Sequence, residues 1–318
     1  MRALRALALA ALLLVVPVAQ AYPDKPVRIL LGFPAGGGAD TLLRAITPGL
    51  SELLGQPIIV ENRPGAGGNI AMEALAQAAP DGHTLLMATP GLAINPNLYR
   101  NLPFDPLKDF KPVGLVGRVP NVLVVAEDGP FDSVQQLIFY AKGHPGVLNY
   151  ASSGTGTSLH LAGALFARAA GVELVHVPYR SGAVAANDIM GARVDMMFQV
   201  VPSVLGQIRA GKLRALAVTS PERVASLPEV PTIAESGLPG YAATTWNGIV
   251  APAGTPDAIV DQLNAALHTV LALPTLQRRF AATGQEVLVS SPAQFAALLR
   301  DEVEKWRTVF REAGISAD

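Results

Sequence analysis

Three times along this chain a short apolar run breaks at a cluster of glycines and passes at once into a segment of helical periodicity. The turns are Phe33-Pro34-Ala35-Gly36-Gly37-Gly38-Ala39-Asp40, Asn62-Arg63-Pro64-Gly65-Ala66-Gly67-Gly68-Asn69 and Ser152-Ser153-Gly154-Thr155-Gly156-Thr157-Ser158-Leu159-His160. Glycine permits positive φ and lets another group approach the backbone closely. A helix start leaves its first N–H groups without partners and carries partial positive charge. Such a turn can hold a carboxylate or phosphate with main-chain donors alone. Ser152, Ser153, Thr155 and Thr157 add neutral hydroxyls to the third turn. A purely structural reading also stands, in which glycine only tightens each turn and Asp40 and Asn69 cap the helices.

Around these turns strands and helices alternate. Val27–Phe33 reads as a buried parallel strand, followed by a helix from Asp40 to about Leu54 that Pro48 is expected to bend or divide. Pro57–Glu61 and Thr84–Ala88 read as strands around a helix near Ile70–Ala78. Later, strands at Val147–Ala151, Glu173–Pro178 and Val194–Phe198 alternate with helices at Thr157–Ala170 and Ala183–Met190. This rhythm implies α/β layering with right-handed crossovers, which places the turns beyond strand C-termini, where such sheets take ligands. Residues 100–120, with four prolines, and residues 227–240 read as connectors. The chain is thus expected to cross into a second unit, 122–244, and return. Residues 22–121 and 245–318 then form one discontinuous unit, with helices at 256–271 and 292–313.

Composition narrows the function. With 24 Lys+Arg against 25 Asp+Glu there is no basic excess for nucleic acid, and without cysteine there is no disulfide, thiolate metal site or cysteine nucleophile. The five histidines show no metal-ligand spacing, so neither metal nor cofactor is expected. Gly206 to Leu213 has the glycine and lysine spacing of a P-loop, but Leu213 stands where a Mg²⁺-binding hydroxyl is required, and the segment reads as a helix C-terminus. Gly65 to Ile70 lacks the final glycine of a dinucleotide fingerprint. Neither G-x-S-x-G nor H-E-x-x-H occurs, and no catalytic residue is assigned. The enzymatic alternative is a secreted hydrolase using Ser152 or Ser153 with His160; the structural alternative has His160 orienting the glycine turn. Arg180, in Tyr179-Arg180-Ser181-Gly182, is read as a surface arginine, with pairing to ligand charge as its alternative.

At the N-terminus Arg2 and Arg5 precede the apolar run Ala6–Val16, and Ala19-Gln20-Ala21 precedes Tyr22. That pattern predicts a signal peptide, residues 1–21, cleaved after Ala21. Eleven apolar residues are too few to span a ~30 Å hydrocarbon core. The expected product is exported, soluble and periplasmic.

With these segments in view, the sequence resembles the solute receptors of tripartite tricarboxylate transporters, the Bug-type periplasmic binding proteins. The resemblance is carried by YPDKPVRILLGFPAGGGAD, VENRPGAGGNIA, NYASSGTGTSLHLAG, VPYRSG and WNGIVAPAGTP, among other segments in the same order. It implies an α/β, two-lobed flytrap architecture, each lobe a mixed sheet flanked by helices, joined by crossover strands. It implies a non-catalytic monomer that holds a small carboxylated solute with backbone amides, hydroxyls and water, and a two-component membrane permease as partner. Carried over by position, the first-lobe ligand residues are Phe33, Pro34, Ala35, Gly36, Gly37, Gly38 and Thr89. Those of the second lobe are Ser152, Ser153, Gly154, Thr155, Gly156, Thr157 and Gln199. Gln199 stands where many members carry Asp, and a neutral side chain suits an amino group poorly, so amino acids are not expected as ligands. A sensory receptor presenting the same lobes to a membrane kinase is the remaining alternative to transport.

Overall fold

Four of the five side chains of β1 (Val27–Leu31) are buried, as a parallel strand covered on both faces requires. It pairs in parallel with β2 (Ile58–Asn62) and β3 (Thr84–Ala88). Parallel neighbours need crossovers, and α1 (Gly38–Leu54) and α2 (Asn69–Ala76) supply them, while the short α3 (Gly91–Ile94) follows β3. This computed structural model describes residues 22–99 and 101–313, so the expected signal peptide lies outside the described residues.

Helix α1 buries Leu42, Leu43, Ile46, Leu50 and Leu54 on one face. Gly49 lets it approach α8 (Asp257–Leu271) closely, because a Cβ there would stand 2.9 Å from Val270. Pro48 does not divide the helix. The proline faces solvent, and the Arg44 carbonyl that its missing N–H cannot serve accepts from Thr47 Oγ1 at 3.3 Å.

Residues 100–120 are not a connector throughout. Phe110–Ala126 forms β4, a strand of 17 residues. Its prolines mislead: Pro112 and Pro120 sit in the strand opposite Val250 and Thr244 of β9 (Thr244–Pro252). Register shifts between Pro112 and Gly114, and again between Leu115 and Gly117, accommodate the irregular pairing. The first part of β4 pairs with β9 and β10 (Glu286–Val287). Its later part pairs with β7 (Met196–Val200) and β8 (Leu213–Val218). Two mixed sheets therefore share β4, in the order β2-β1-β3-β9-β4-β7-β5-β6, with β5 (Asn149–Ser152) parallel to β6 (Val175–Pro178) and β7.

The core divides with the sheets. Two buried clusters draw on residues 27–119 and 246–310 together with Leu161, and two on residues 122–241. Helices α4 (Val134–Gly143), α5 (Ser158–Ala170), α6 (Gly182–Met190) and α7 (Val201–Arg209) belong to the second half. Helices α8, α9 (Pro274–Ala282) and α10 (Pro292–Ala313) return to the first. At the seam, fully buried Asn121 donates from Nδ2 to Ala243 O at 3.2 Å, accepts at Oδ1 from Thr245 Oγ1 at 3.0 Å and accepts at its carbonyl from Thr219 N at 2.9 Å.

The second core contains a polar stack. The rings of His160 and His176 lie 4.0 Å apart, with Tyr150 5.0 Å from His176. Ser152 is paired with His176 and not with His160: its Oγ lies 2.7 Å from His176 Nε2. The same oxygen accepts from Gly154 N at 3.2 Å and lies 3.1 Å from Gly154 O, so Ser152 joins the histidine stack to the glycine turn. His160 Nδ1 instead accepts from Gly156 N at 3.4 Å, so its ring orients the glycine turn.

Burial lowers the His160 pKa to about 4, and burial with like-charge repulsion from His160 lowers His176 to about 3. Both rings are neutral at pH 7. The folded state resists protons that the unfolded chain accepts near 6.5, so the stability these rings confer is complete above pH 6.5 and is lost as the pH falls toward 4. Melting temperatures recorded from pH 7.5 down to 4.5 are expected to fall, and more gently in a His160→Asn/His176→Gln double variant. Parallel profiles for the two proteins would contradict the assignment.

Candidate functional site

Four helices begin at one cavity of about 220 Å³ between the two halves. Gly37–Gly38 opens α1, Thr157–Ser158 opens α5, Ser181–Gly182 opens α6 and Val200–Val201 opens α7, and each start lines the cavity wall. Thr157 Oγ1 caps α5 by accepting from His160 N at 3.3 Å, and Ser181 Oγ caps α6 by accepting from Val184 N at 3.5 Å. Gly37 and Val200 provide no side-chain cap, which leaves the first N–H groups of α1, and those of Val201 and Ser203 in α7, whose Pro202 has none, to other acceptors. Each helix start is equivalent to about half a positive charge. Together they exceed the formal charge of Arg180, the one charged residue among the described residues lining the cavity. No carboxylate lines it.

The first turn is held from behind. Asp40, buried at the third position of α1, accepts from Gly36 N at 3.0 Å, Arg44 Nε at 2.9 Å and Asn62 Nδ2 at 2.9 Å. It is not the N-cap; from the third helical position it reaches past the N-cap Gly37, whose N–H a capping box would engage, to the N–H of Gly36. Burial disfavours its charge, but the hydrogen bonds from Arg44, Gly36 and Asn62 outweigh that and hold its pKa below the usual carboxylate range. The negative charge is thus spent on the loop and turned away from the cavity, which it does not line.

Gln199 is almost fully buried, with Oε1 accepting from Val200 N at 2.8 Å and Nε2 donating to Ser153 Oγ at 3.2 Å. Gly182 makes room for it: a Cβ at 182 would stand 1.7 Å from Gln199 Nε2.

Of the residues expected at the site, Phe33 through Gly38, Thr89, Ser153, Thr157 and Gln199 line the cavity. Ser152, Gly154, Thr155 and Gly156 do not. Ser152 is turned into the histidine stack, and Gly154 serves the turn itself. Thr155 and Gly156 face the other half: a Cβ on Gly67 would stand 2.6 Å from Thr155 O, and one on Gly156 would stand 2.3 Å from Asn95 Oδ1. The second glycine turn, 62–69, does not line this cavity and packs against the other half, with Gly68 also seated against Gly32. Arg180 is exposed, as its reading as a surface arginine expects, and it also lines the cavity.

The sequence also left residues unassigned. Ser181 and Gly182 follow a strand and open a helix like the three glycine-rich turns, but a single glycine makes the local pattern too weak to assign them to a site. Ser203, Thr245 and Asn247 line the cavity from α7 and β9, and no local pattern says which face of a crossover strand meets a cleft. No cluster of metal-ligating side chains occurs among the described residues, and no helix there is long and apolar enough to cross a membrane.

Residues 42–315 match the family described as the tripartite tricarboxylate transporter family receptor. A Pseudomonas protein encoded in the tcbD-tcbE intergenic region is 42% identical over 299 residues, 94% of this chain and 89% of its own length. Protein BugT of Bordetella pertussis is 37% identical over 298 residues, 93% of this chain and 91% of its own. Among solved structures, an R. palustris protein with adipate is 37% identical at a TM-score of 0.88, covering 92% of this chain and 99% of that one. MatC from Rhodopseudomonas palustris with bound malate is 34% identical at a TM-score of 0.84, covering 91% of this chain and 99% of that one. Fold, order of motifs and full-length similarity agree: the chain belongs to the tripartite tricarboxylate transporter receptor family, the two-lobed, Bug-type periplasmic binding proteins, a family of binding proteins and not of enzymes.

Proposed function

We infer that this protein captures a small carboxylated solute between its lobes, 22–121 with 245–318 and 122–244, and passes it to a two-component membrane permease. Export by a signal peptide cleaved after Ala21 would place it in the periplasm as a monomer. The observation that carries the reading is the cavity wall: four helix starts, two of them without side-chain caps, and no carboxylate. Such a wall attracts an anion with neutral donors. It also lacks the fixed counter-charge that an ammonium group would need, which disfavours amino acids. The adipate and malate complexes of relatives support the same class of guest. Hydrolysis by Ser152 is disfavoured because its hydroxyl is buried and outside the cavity.

Binding is expected to close the lobes by favouring a conformation already present in the free protein. A di- or tricarboxylate at a hundredfold excess over its Kd should stabilise ligand-stripped protein by about 2.7 kcal/mol, seen as a rise of several degrees in Tm. A broad carboxylate panel that leaves Tm unmoved would count against the proposal.

Gly182→Ala should weaken binding roughly tenfold or more by displacing Gln199, with Tm of the free protein largely kept. Gly206→Ala, where an added Cβ meets nothing within 4 Å, is the matched control. Gly156→Val lies outside the cavity but should prop the halves apart against Asn95, so that ligand no longer contracts the radius of gyration in X-ray scattering. Normal contraction in that variant would mean that the Gly156 contact plays no part in closure.

A further inference from the structure

The polar groups lining the cavity divide by the direction in which their protons run. The helix starts donate, and Ser153 Oγ, which accepts from Gln199 Nε2, has its own proton to give. On the side of β9 the direction reverses. Thr245 Oγ1 donates to Asn121 Oδ1 at 3.0 Å, and that amide is fixed because its Nδ2 donates to Ala243 O. Thr245 can then only accept from Ser158 Oγ, 2.7 Å away. Ser158, having given up its one hydroxyl proton, faces the cavity with lone pairs alone.

Asn247 repeats this pattern. It is completely buried, lines the cavity, and lies two residues beyond Thr245, hence on the same face of the strand. Its Nδ2 lies 3.5 Å from Thr245 O, a carbonyl that can only accept, and this contact favours Nδ2 on that side of the amide. Asn247 Oδ1 is left with no hydrogen-bond partner. Buried acceptors are rarely left so, because the group loses its water and gains nothing. Two acceptor-only atoms on one wall of a cavity at which four helix starts donate call for a guest with a hydroxyl or equivalent donor as well as a carboxylate.

On the reading that the guest is a carboxylate, we propose that Asn247 Oδ1 and Ser158 Oγ form a specificity wall selecting hydroxylated carboxylic acids over their plain counterparts. The carboxylate is held by the helix starts, and the hydroxyl donates to the wall. A plain acid of the same skeleton leaves the Asn247 acceptor unserved, and a site built for a hydroxyl discriminates strongly against an analogue lacking it.

The test uses purified protein stripped of co-purified ligand and matched acids differing by one hydroxyl: succinate with malate, tricarballylate with citrate, benzoate with hydroxybenzoate. In calorimetric titrations the hydroxylated member of a binding pair is expected to bind roughly ten- to a hundredfold more tightly. Asn247→Leu, which keeps the volume and removes the acceptor, should erase that preference while still binding the plain acid. The comparison in the unaltered protein stands whether or not the variant folds. Equal affinities within every pair that binds would mean that water serves Asn247, and would overturn the specificity wall while leaving the carboxylate reading intact. A preference surviving in Asn247→Leu would overturn it equally. If no acid binds at all, the carboxylate reading falls and the specificity wall with it.

Discussion

Main-chain N–H groups at a helix start have no partner within the helix, and everything distinctive about this protein follows from bringing four such starts to one cavity. A carboxylate bound there gains several directional donors and the fields of the helices, in a space partly shielded from water. The donors are fixed by the backbone, so little conformational entropy is lost on binding, in contrast to long cationic side chains. Their neutrality matters for a carrier, which must also let go. The supporting residues serve this arrangement: Asp40 locks the first turn from its buried side, His160 and Ser152 lock the third, and Gly182 leaves the space that Gln199 fills.

The cavity exists only because two sheets share a strand. β4 runs from one half into the other, and β9 returns beside it, so residues 245 and 247 are both structural members of the crossover and part of the cavity wall. Asn121 ties the crossing together through Ala243, Thr219 and Thr245, and the same hydrogen bonds fix the direction of the Ser158 proton. Opposite the crossover, Gly67, Thr155, Gly156 and Asn95 bring the two halves into contact through backbone and one amide. Glycine is required there by proximity, since side chains at 67 or 156 would hold the halves apart.

Much of this was legible in the sequence where the signal was local. Strand, glycine turn and helix recur with hydrophobic periods that place β1, α1, β5 and α5 to within two residues at each end, and the strongest turns, 33–38 and 152–157, both contribute to the cavity wall. What was misread depended on contacts distant in the chain. Prolines 112 and 120 suggested a connector, but β9 and its register shifts make that stretch a strand. His160 orients the glycine turn as expected, through Gly156 N, whereas His176, the ring beside Ser152, comes from the neighbouring strand β6 and had no local signal. The turn at 62–69 carries as many glycines as the first, and uses them to pack against Gly32 and Thr155. Asn247 gave no signal at all, because an orphaned acceptor is defined by its surroundings and not by its neighbours in sequence.

The most direct measurement is a crystal structure of the protein with the carboxylate that travels with it from the cell. The account requires the carboxylate oxygens to sit within about 3.2 Å of main-chain N–H groups at the starts of α1 and of at least one of α5, α6 and α7. A guest found outside this cavity, or one whose charge is met by the Arg180 guanidinium while the helix starts bind only solvent, would contradict it.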